Sequence, residues 1–212
     1  MHQTSFDSSQ TSMEQRYDTV FVVDDDPLLR RQLELTLGMA GFTVVTFASA
    51  QQFLASVTAQ HRGCVLTDIR MPGMCGLQLQ EELLRCNSCM PVIVITGHAD
   101  VALAVRAMRA GALDILEKPF RNEDLLAQVR IALGVARERA EQTMIAQGNA
   151  RKLSALSERE REVLQLVIDG HSSSAVASLL GISRRTVDIH RARIMEKMAT
   201  KSVATLVRMV AR

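Results

Sequence analysis

Five short apolar runs recur in the first part of the chain, and a segment with helical periodicity follows each of them. The runs are Val20–Val23, Thr43–Phe47, Val65–Asp68, Val92–Thr96 and Leu113–Glu117. Apolar runs of this length that end in turn signals are typical of strands buried in a parallel sheet. Their alternation with helices predicts an α/β domain over residues 19–133, in which a five-stranded, doubly wound parallel sheet is covered by helices on both faces.

The end of the chain follows another pattern, with four short helical segments and no strand-like run. Ser157 and Glu160 predict a capping box at the start of the first helix. A second helix is predicted over 173–180, and Gly181 then makes a turn before a basic third helix. Four short helices with a glycine turn in this place predict an all-α helix-turn-helix domain over residues 154–212.

Two segments lack either pattern. Residues 1–18 are rich in Ser, Gln and Thr and are predicted to form a disordered tail. Residues 134–153 are predicted to be a linker that is part helix and part flexible, with a first interruption at Gly148 and Asn149. An exposed extension of the preceding helix, which begins near Asn122, is equally compatible with this composition.

Polar side chains follow four of the predicted strands. Asp24 and Asp25 follow the first strand, Asp68 ends the third, Thr96 ends the fourth and Lys118 follows the fifth. The carboxyl ends of parallel strands meet at one edge of the sheet, where functional groups collect. Clustered carboxylates repel one another unless a cation joins them, and hard oxygen ligands suit Mg²⁺. The sequence therefore predicts an acidic magnesium site beside a fixed ammonium group.

This arrangement resembles the receiver domain of two-component response regulators, over about residues 19–139, and the resemblance implies a flavodoxin-like fold. It implies that Asp68 is the phosphoacceptor, that Lys118 pairs with the phosphoryl oxygens and that Thr96 moves to hydrogen-bond them. The metal site that it implies consists of Asp24, Asp25, Asp68 and the backbone carbonyl of Arg70.

Three positions near this site depart from, or add to, the receiver pattern. Receivers usually have an aromatic switch residue three positions before the lysine, where this chain has Ile115. Arg70 and His98 lie two residues past Asp68 and Thr96, beside the route by which water reaches an acyl phosphate. Because large basic groups there shield the phosphoryl group, we expect a phosphorylated form that lasts minutes or longer.

Charge is distributed unevenly between the two predicted domains. The chain has a formal net charge of +2, but residues 1–140 carry 13 basic and 16 acidic side chains, and residues 141–212 carry 12 and 7. This asymmetry indicates that only the C-terminal part meets a polyanion. The absence of Trp and the single Tyr argue against an aromatic platform for single-stranded nucleic acid.

The basic third helix can be divided by its periodicity. Val187, His190, Ile194 and Met198 are spaced to face the core, and His190 is interpreted as a partly buried structural histidine. Guanidinium groups around small or apolar residues suit phosphates and base edges in a major groove. An ordinary solvated basic face remains an alternative when this helix is considered alone. The predicted DNA contacts are Arg184, Arg185, Thr186, Asp188, Ile189, Arg191, Ala192, Arg193 and Lys197.

This C-terminal segment resembles the LuxR-type helix-turn-helix of the NarL and FixJ response regulators. The residues that carry the resemblance are Leu156–Val163, Gly170, Leu180–Ser183, Thr186, Val187 and His190. Many relatives begin the second helix with an Asn-Lys pair where this chain has Ser172, Ser173 and Ser174, so a phosphate contact is expected to be missing. Asp188 repels phosphates and is expected to select a cytosine amino group or to exclude other sequences.

Together these features predict a transcription factor that is phosphorylated on Asp68 by a sensor histidine kinase and then binds double-stranded promoter DNA. The phosphorylated chain is expected to form a homodimer through the face around residues 99–120, with Val101, Val105, Met108 and Ile115 nearby. A second contact is expected from Val203, Leu206, Val207 and Val210, and RNA polymerase is a further candidate partner. No apolar run is long enough to span a bilayer, and a cytoplasmic protein without a membrane partner is predicted.

Two other functions are weaker alternatives. A phosphatase of the haloacid dehalogenase type needs a second acid two residues after its nucleophile, where this chain has Arg70, so an enzyme is not expected. A DNA-binding protein with a vestigial phosphorylation site is disfavoured because all the groups of the site are present. The four cysteines are expected to be reduced thiols, and the Cys86–Cys89 spacing is weak support for a redox or metal role.

Overall fold

A computed structural model of the protein describes residues 19–58, 61–86, 88–97 and 101–210, except for the side chains of residues 101–104. The chain divides into two compact units, with the boundary between Ala140 and Glu141. Among the described helices, none combines the length and the apolar character needed to cross a bilayer.

The first unit contains one parallel sheet of five strands. The strands are β1 (Thr19–Val23), β2 (Thr43–Phe47), β3 (Cys64–Asp68), β4 (Val92–Thr96) and β5 (Asp114–Glu117). Their spatial order is β2-β1-β3-β4-β5, and every neighbouring pair is parallel. All residues of β3 and β4 are buried, as continuous apolar runs in central strands require. The predicted doubly wound parallel sheet is confirmed.

Helices cover both faces of this sheet. They are α1 (Pro27–Met39), α2 (Ala50–Ser56), α3 (Gly76–Arg85), α4 (Val101–Arg109) and α5 (Asn122–Ser154). Because alternate side chains of a strand point to opposite faces, Val20 and Val22 of β1 belong to one core and Phe21 and Val23 to another. The first core contains residues of α1 and α5, and the second contains residues of α2, α3 and α4.

Helix α5 continues well beyond the sheet. It passes through Gly148 and Asn149, where the sequence predicts the first interruption, and ends at Ser154. A single glycine in a helix interior costs only about 1 kcal/mol relative to alanine, and the residues around Gly148 are mostly good helix formers. The local signal is therefore too weak to break the helix.

The second unit is a bundle of short helices, as predicted. They are α6 (Glu158–Ile168), α7 (Ser173–Leu180), α8 (Arg184–Lys197) and α9 (Val203–Val210). Val163, Val187, Ile194, Met198 and Leu206 are buried in its core.

The ends of these helices follow from their cap residues. The capping box of α6 is present, because the backbone N–H of Ser157 donates to Glu160 at 2.8 Å and the backbone N–H of Glu160 donates to Ser157 Oγ at 3.3 Å. Helix α7 ends at Gly181, whose φ of 65° is a left-handed conformation that glycine adopts without strain.

Burial of Leu206 contradicts one expectation from the sequence. Leu206 is 1% exposed in the core of its own unit, so it is not available for the predicted contact with a second copy of the chain. The apolar stripe of α9 is real, but part of it packs inside the unit. An apolar helix face predicts burial without identifying the partner that covers it.

Candidate functional site

The carboxyl ends of β1, β3 and β5 bring three charged side chains together. Lys118 Nζ donates to Asp68 Oδ1 at 2.7 Å and lies 3.4 Å from Asp24 Oδ2. The backbone N–H of Lys118 donates to the carbonyl of Thr96 at 2.7 Å, which joins the ends of β4 and β5. Two carboxylates therefore share one ammonium group at the edge of the sheet.

Asp24 is held rigidly in a buried position. The backbone N–H of Asp26 donates to its Oδ1 at 2.8 Å, and Arg30 Nη1 donates to its carbonyl oxygen at 2.6 Å. Burial raises the pKa of the Asp24 carboxyl above its ordinary value of 3.8, although the Asp26 N–H and the Lys118 charge act in the opposite direction. The charge of Asp24 is thus incompletely compensated by the protein.

Asp68 has its side chain fixed at both oxygens. While Lys118 bonds to Oδ1, the backbone N–H of Arg70 donates to Oδ2 at 2.6 Å. Burial lowers the pKa of Lys118, but the hydrogen bond to Asp68 and the charges of both carboxylates outweigh burial, so the pKa is raised and the ammonium stays charged. The turn after Asp68 and Lys118 therefore hold this carboxylate in a preorganised position.

The start of α3 packs directly on the backbone of Asp68. A Cβ atom on Gly76 would lie 2.3 Å from the carbonyl oxygen of Asp68, so no larger residue fits without a shift of the backbone. The backbone N–H of Gly76 donates to the carbonyl of Ile69 at 3.1 Å, and Thr67 Oγ1 donates to the carbonyl of Asp68.

The remaining residues expected at this site lie around it. Thr96 is buried at the end of β4, Asp25 is exposed after β1, and Arg70 is exposed after Asp68. Ile115 is partly buried against the core that includes α3 and α4. The predicted role of His98 falls outside the described residues.

The possible metal ligands at this site suit a magnesium ion better than a metal that is held by protein side chains alone. Among the described residues, no three His, Cys, Asp or Glu side chains are grouped so that they could hold a metal by themselves. Mg²⁺ usually binds through one or two carboxylates and retains several waters, so it does not need such a cage. Asp24 has a buried carboxylate whose negative charge is incompletely compensated, and Asp68 lies beside it. The two carboxylates are a chemically suitable pair of ligands.

The second unit presents a basic surface on α8. Val187, Ile194 and Met198 face the core as predicted, and His190 is partly buried. The opposite side, which we call the readout surface, consists of the exposed residues Arg184, Arg185, Asp188, Ile189, Ala192 and Arg193. Ile189 is 45% exposed and supplies an apolar side chain among the charged residues of this surface.

Three other predicted DNA-contacting residues have partners inside the protein. Thr186 bonds to Ser183 Oγ, and Arg191 Nη1 donates to Ser173 Oγ at 3.3 Å. Lys197 Nζ donates to Glu160 Oε2 at 2.6 Å and to the carbonyl of Ala155 at 3.2 Å.

The Lys197–Glu160 pair holds the end of α8 on the start of α6. The hydrogen bond from Lys197, with help from the Ser157 backbone, lowers the pKa of Glu160 to about 2. The sequence assigned Glu160 only to a helix cap.

Sequence reasoning missed one further buried polar group. Gln80 of α3 is 1% exposed, and its side-chain nitrogen donates to the carbonyls of Ala107, in the last turn of α4, and Ala110, just after α4. A signal was present, because a glutamine stands on the apolar side of a helix whose buried neighbours are Leu77, Leu79 and Leu83.

Known families match both units. The family model of the response regulator receiver domain matches residues 20–130, and that of the bacterial regulatory proteins of the luxR family matches residues 154–210. The transcriptional regulatory protein FixJ of Azorhizobium caulinodans is 44% identical over 190 residues, which is 90% of each protein. The response regulator protein TodT of Pseudomonas putida is 37% identical over 200 residues, covering 94% of this chain and 88% of TodT.

Solved structures of two similar proteins cover most of the chain. The response regulator StyR has 41% identity and a TM-score of 0.79, with coverage of 91% of this chain and 98% of StyR. Full-length FixJ from B. japonicum has 40% identity and a TM-score of 0.57, with coverage of 91% and 95% respectively.

Proposed function

The chain belongs to the two-component response regulators, and on this basis we propose that Asp68 is the phosphoacceptor. Its receiver domain and its LuxR-type DNA-binding domain together regulate transcription in response to phosphorylation. The observation that carries this assignment is the 2.7 Å contact between Lys118 and Asp68 beside the buried carboxylate of Asp24. In the proposed reaction, a carboxylate oxygen of Asp68 attacks the phosphorus of a phosphohistidine on a partner kinase. The P–N bond breaks, the imidazole leaves with its electron pair, and an acyl phosphate forms.

Magnesium supports this transfer in the proposal by neutralising charge on the phosphoryl oxygens. Asp24, Asp25, Asp68 and the backbone carbonyl of Arg70 are its proposed ligands. The support for this set is the chemistry of the donors, since two carboxylates share a single ammonium group in the protein alone.

Lys118 and Thr96 are the proposed switch residues. Phosphorylation adds charge of about −1.5 to −2 and three acceptor oxygens at Asp68. Lys118 then exchanges its bond to Asp68 for bonds to phosphoryl oxygens, and the Thr96 hydroxyl donates to another of them. Ile115, partly buried next to this edge of the sheet, repacks in response.

The proposed output of the switch is a homodimer. Val105 is 43% exposed and Met108 is 49% exposed on α4, which supports an apolar contact surface beside β5. Two joined chains would present two helix-turn-helix units to an inverted repeat, with half-sites separated by whole turns of the duplex. RNA polymerase is a further candidate partner for a dimer bound at a promoter.

DNA recognition is assigned to the readout surface of α8. Arg184, Arg185 and Arg193 are proposed to contact phosphates or base edges, whereas Asp188, Ile189 and Ala192 are proposed to face bases. Thr186, Arg191 and Lys197 are retained as flanking contacts, although each also bonds within the protein. The protein turns over no substrate in this proposal, and it acts in the cytoplasm because its proposed target is promoter DNA.

The side chain of Arg70 supports a slow loss of the phosphoryl group. Arg70 is exposed two residues after Asp68, where it can cover the acyl phosphate against water. A lifetime of minutes or longer for the phosphorylated protein remains our prediction, and a lifetime of seconds in the isolated chain would contradict it.

Footprinting on DNA with and without acetyl phosphate tests the function of both units. The wild type should protect a specific sequence more strongly after treatment. Asp68→Ala should lose the stimulation but keep the untreated level of binding, whereas Arg185→Ala should bind weakly in both states and with a smaller salt dependence. Equal stimulation of Asp68→Ala would refute the assignment of the phosphoacceptor.

A further inference from the structure

Helix α3 carries a polar side chain in the middle of an apolar core. Gln80 is 1% exposed, and its nearest buried neighbours on the helix are Leu77, Leu79 and Leu83. A buried amide must find hydrogen-bond partners to offset the loss of its hydration. The partners of Gln80 therefore indicate what this residue does.

The amide nitrogen of Gln80 binds the C-terminal end of α4. Its Nε2 donates to the carbonyl of Ala110 at 2.6 Å and to that of Ala107 at 3.4 Å. The carbonyl of Ala107 already accepts from the backbone N–H of Ala112 at 3.0 Å, so the short bond to Ala110, just past the end of α4, is the main contribution of this side chain. Gly111 follows with a φ of 86°, a left-handed conformation that favours glycine, and a Cβ there would lie at an ordinary contact distance of 3.7 Å from Nε2.

The oxygen of the same amide is not satisfied. Oε1 of Gln80 is buried and has no hydrogen-bond partner among the described residues. A buried acceptor without a partner is destabilising, and such groups in native proteins often mark strain or a second arrangement. Among the described residues, the amide therefore makes one short bond and one long bond and leaves Oε1 without a partner.

The other end of α3 touches the phosphoacceptor. Gly76 packs on the carbonyl of Asp68, where a Cβ would be only 2.3 Å away. Gly76 and Gln80 are four residues apart and so lie on the same face of the helix. One face of α3 therefore extends from the backbone of Asp68 to the end of α4.

Helix α4 is thus connected to the phosphorylation site through α3, because Gln80 of α3 holds its C-terminal end. Packed helices can slide by small distances as rigid bodies, so a shift of α3 can reach α4 through this contact.

We propose that Gln80 is a positioning residue that fixes the C-terminal end of α4 to α3 and thereby transmits phosphorylation of Asp68 to the surface formed by α4 and β5. This inference rests on the proposed function, in which Asp68 is the phosphoacceptor and that surface is the output. Gln80 does not touch the phosphoryl group, so its effect is on the coupling and not on the transfer reaction.

The first test is the Gln80→Met variant of the full chain, because methionine keeps the length and volume of the side chain and removes the amide. The probe is a duplex selected from random sequence by wild-type protein treated with acetyl phosphate. We expect the stimulation of binding by acetyl phosphate to fall about fivefold, the effect of one net hydrogen bond on a two-state equilibrium. The rate of phosphorylation by acetyl phosphate should be unchanged.

Gln78→Ala is the matched control on the same helix. Gln78 is exposed, and its Oε1 accepts from the backbone N–H of Cys75 at 3.0 Å, so its loss weakens the start of α3 without affecting α4. This variant should have a lower melting temperature and full stimulation. Full stimulation of Gln80→Met would overturn the inference alone, whereas a wild type that acetyl phosphate does not stimulate would overturn the proposed function as well.

A second measurement needs no variant and decides the matter if Gln80→Met does not fold. The side-chain amide of Gln80 is buried, so its Nε2 resonance can be followed by NMR in the full-length wild type before and after addition of acetyl phosphate. We expect this resonance to move on phosphorylation as the bonds to Ala107 and Ala110 change. A resonance that stays in place would show that Gln80 only stabilises the fold.

Discussion

Each unit of the protein contains a lysine bonded to a buried carboxylate, and the two pairs differ in what surrounds them. The Lys118–Asp68 contact measures 2.7 Å and the Lys197–Glu160 contact measures 2.6 Å. Asp24 competes for Lys118, and burial leaves the pKa of Asp24 raised. Glu160 is the only carboxylate that pairs with Lys197 among the described residues, and it accepts from the Ser157 backbone, so the pKa of Glu160 is lowered to about 2. The distances of the two pairs are alike, whereas the balance of charge around the carboxylates differs between the proposed phosphorylation site and the structural pair.

The largest expected effect is the loss of phosphorylation when Asp68 is replaced. Asp68→Asn removes the nucleophilic oxygen while it keeps the size of the side chain, so acetyl phosphate should leave the mass of the intact protein unchanged. Asp26→Asn is the control, because this exposed residue caps α1 and asparagine is an equally good cap. Phosphorylation of Asp68→Asn at the wild-type rate would show that the pair with Lys118 is structural as well.

Removal of the other pair should affect stability instead of signalling. Lys197→Met leaves the buried Glu160 carboxylate without its ammonium partner and should destabilise the second unit by about 1–3 kcal/mol. The measurement is the thermal transition of that unit, with Glu162→Gln as the control, because Glu162 pairs with Arg159 on the exposed surface. A Lys197→Met variant with unchanged stability and weaker DNA binding would instead favour a direct DNA contact.

A fall in pH should change the free energy of unfolding in opposite directions through Glu160 and Asp24. Because the folded pKa of Glu160 is about 2 and its ordinary value is 4.5, its stabilising effect is present above pH 4.5 and is lost as the pH falls towards 2. The raised pKa of Asp24 acts in the opposite direction, since the folded state then binds this proton more tightly than the unfolded state. In urea unfolding at several pH values, Glu160→Gln should flatten the loss of stability in acid, whereas Asp24→Asn should not.

The smallest effect is expected at the turn that follows Lys197. Ala199 has a φ of 52°, a left-handed conformation that costs alanine about 1 kcal/mol. Ala199→Gly should relieve this strain and stabilise the second unit by about 1 kcal/mol without any change in the Lys197–Glu160 pair. The acid dependence of unfolding should remain that of the wild type, and a changed acid dependence would mean that the turn sets the geometry of the pair.

The sequence predicted the elements well where the determining residues are neighbours in the chain. Continuous apolar runs located all five strands, Gly181 located the end of α7, and Ser183 located the start of α8. The order of polar residues at the strand ends also anticipated that Asp24, Asp68 and Lys118 lie together. Local patterns of this kind depend on a few adjacent residues and are visible without a structure.

Pairings between distant residues could not be predicted in the same way. Gln80 meets Ala110 across 30 residues, and Glu160 meets Lys197 across 37. A periodic pattern indicates that a side chain is buried but does not identify what it meets, which is why Leu206 was expected at a dimer contact and lies in the core. The same limit explains why Lys197 was expected only on DNA.

The internal use of Lys197 has a consequence for how the protein responds to salt. Binding to duplex DNA releases about 0.9 condensed counterions for each phosphate that a cationic side chain neutralises. Lys197 is already paired with Glu160, so the flanking contact proposed for Lys197 should release fewer counterions than a contact from an arginine of the readout surface. Replacement of Lys197 should therefore change the slope of log affinity against log salt concentration less than replacement of Arg185 does.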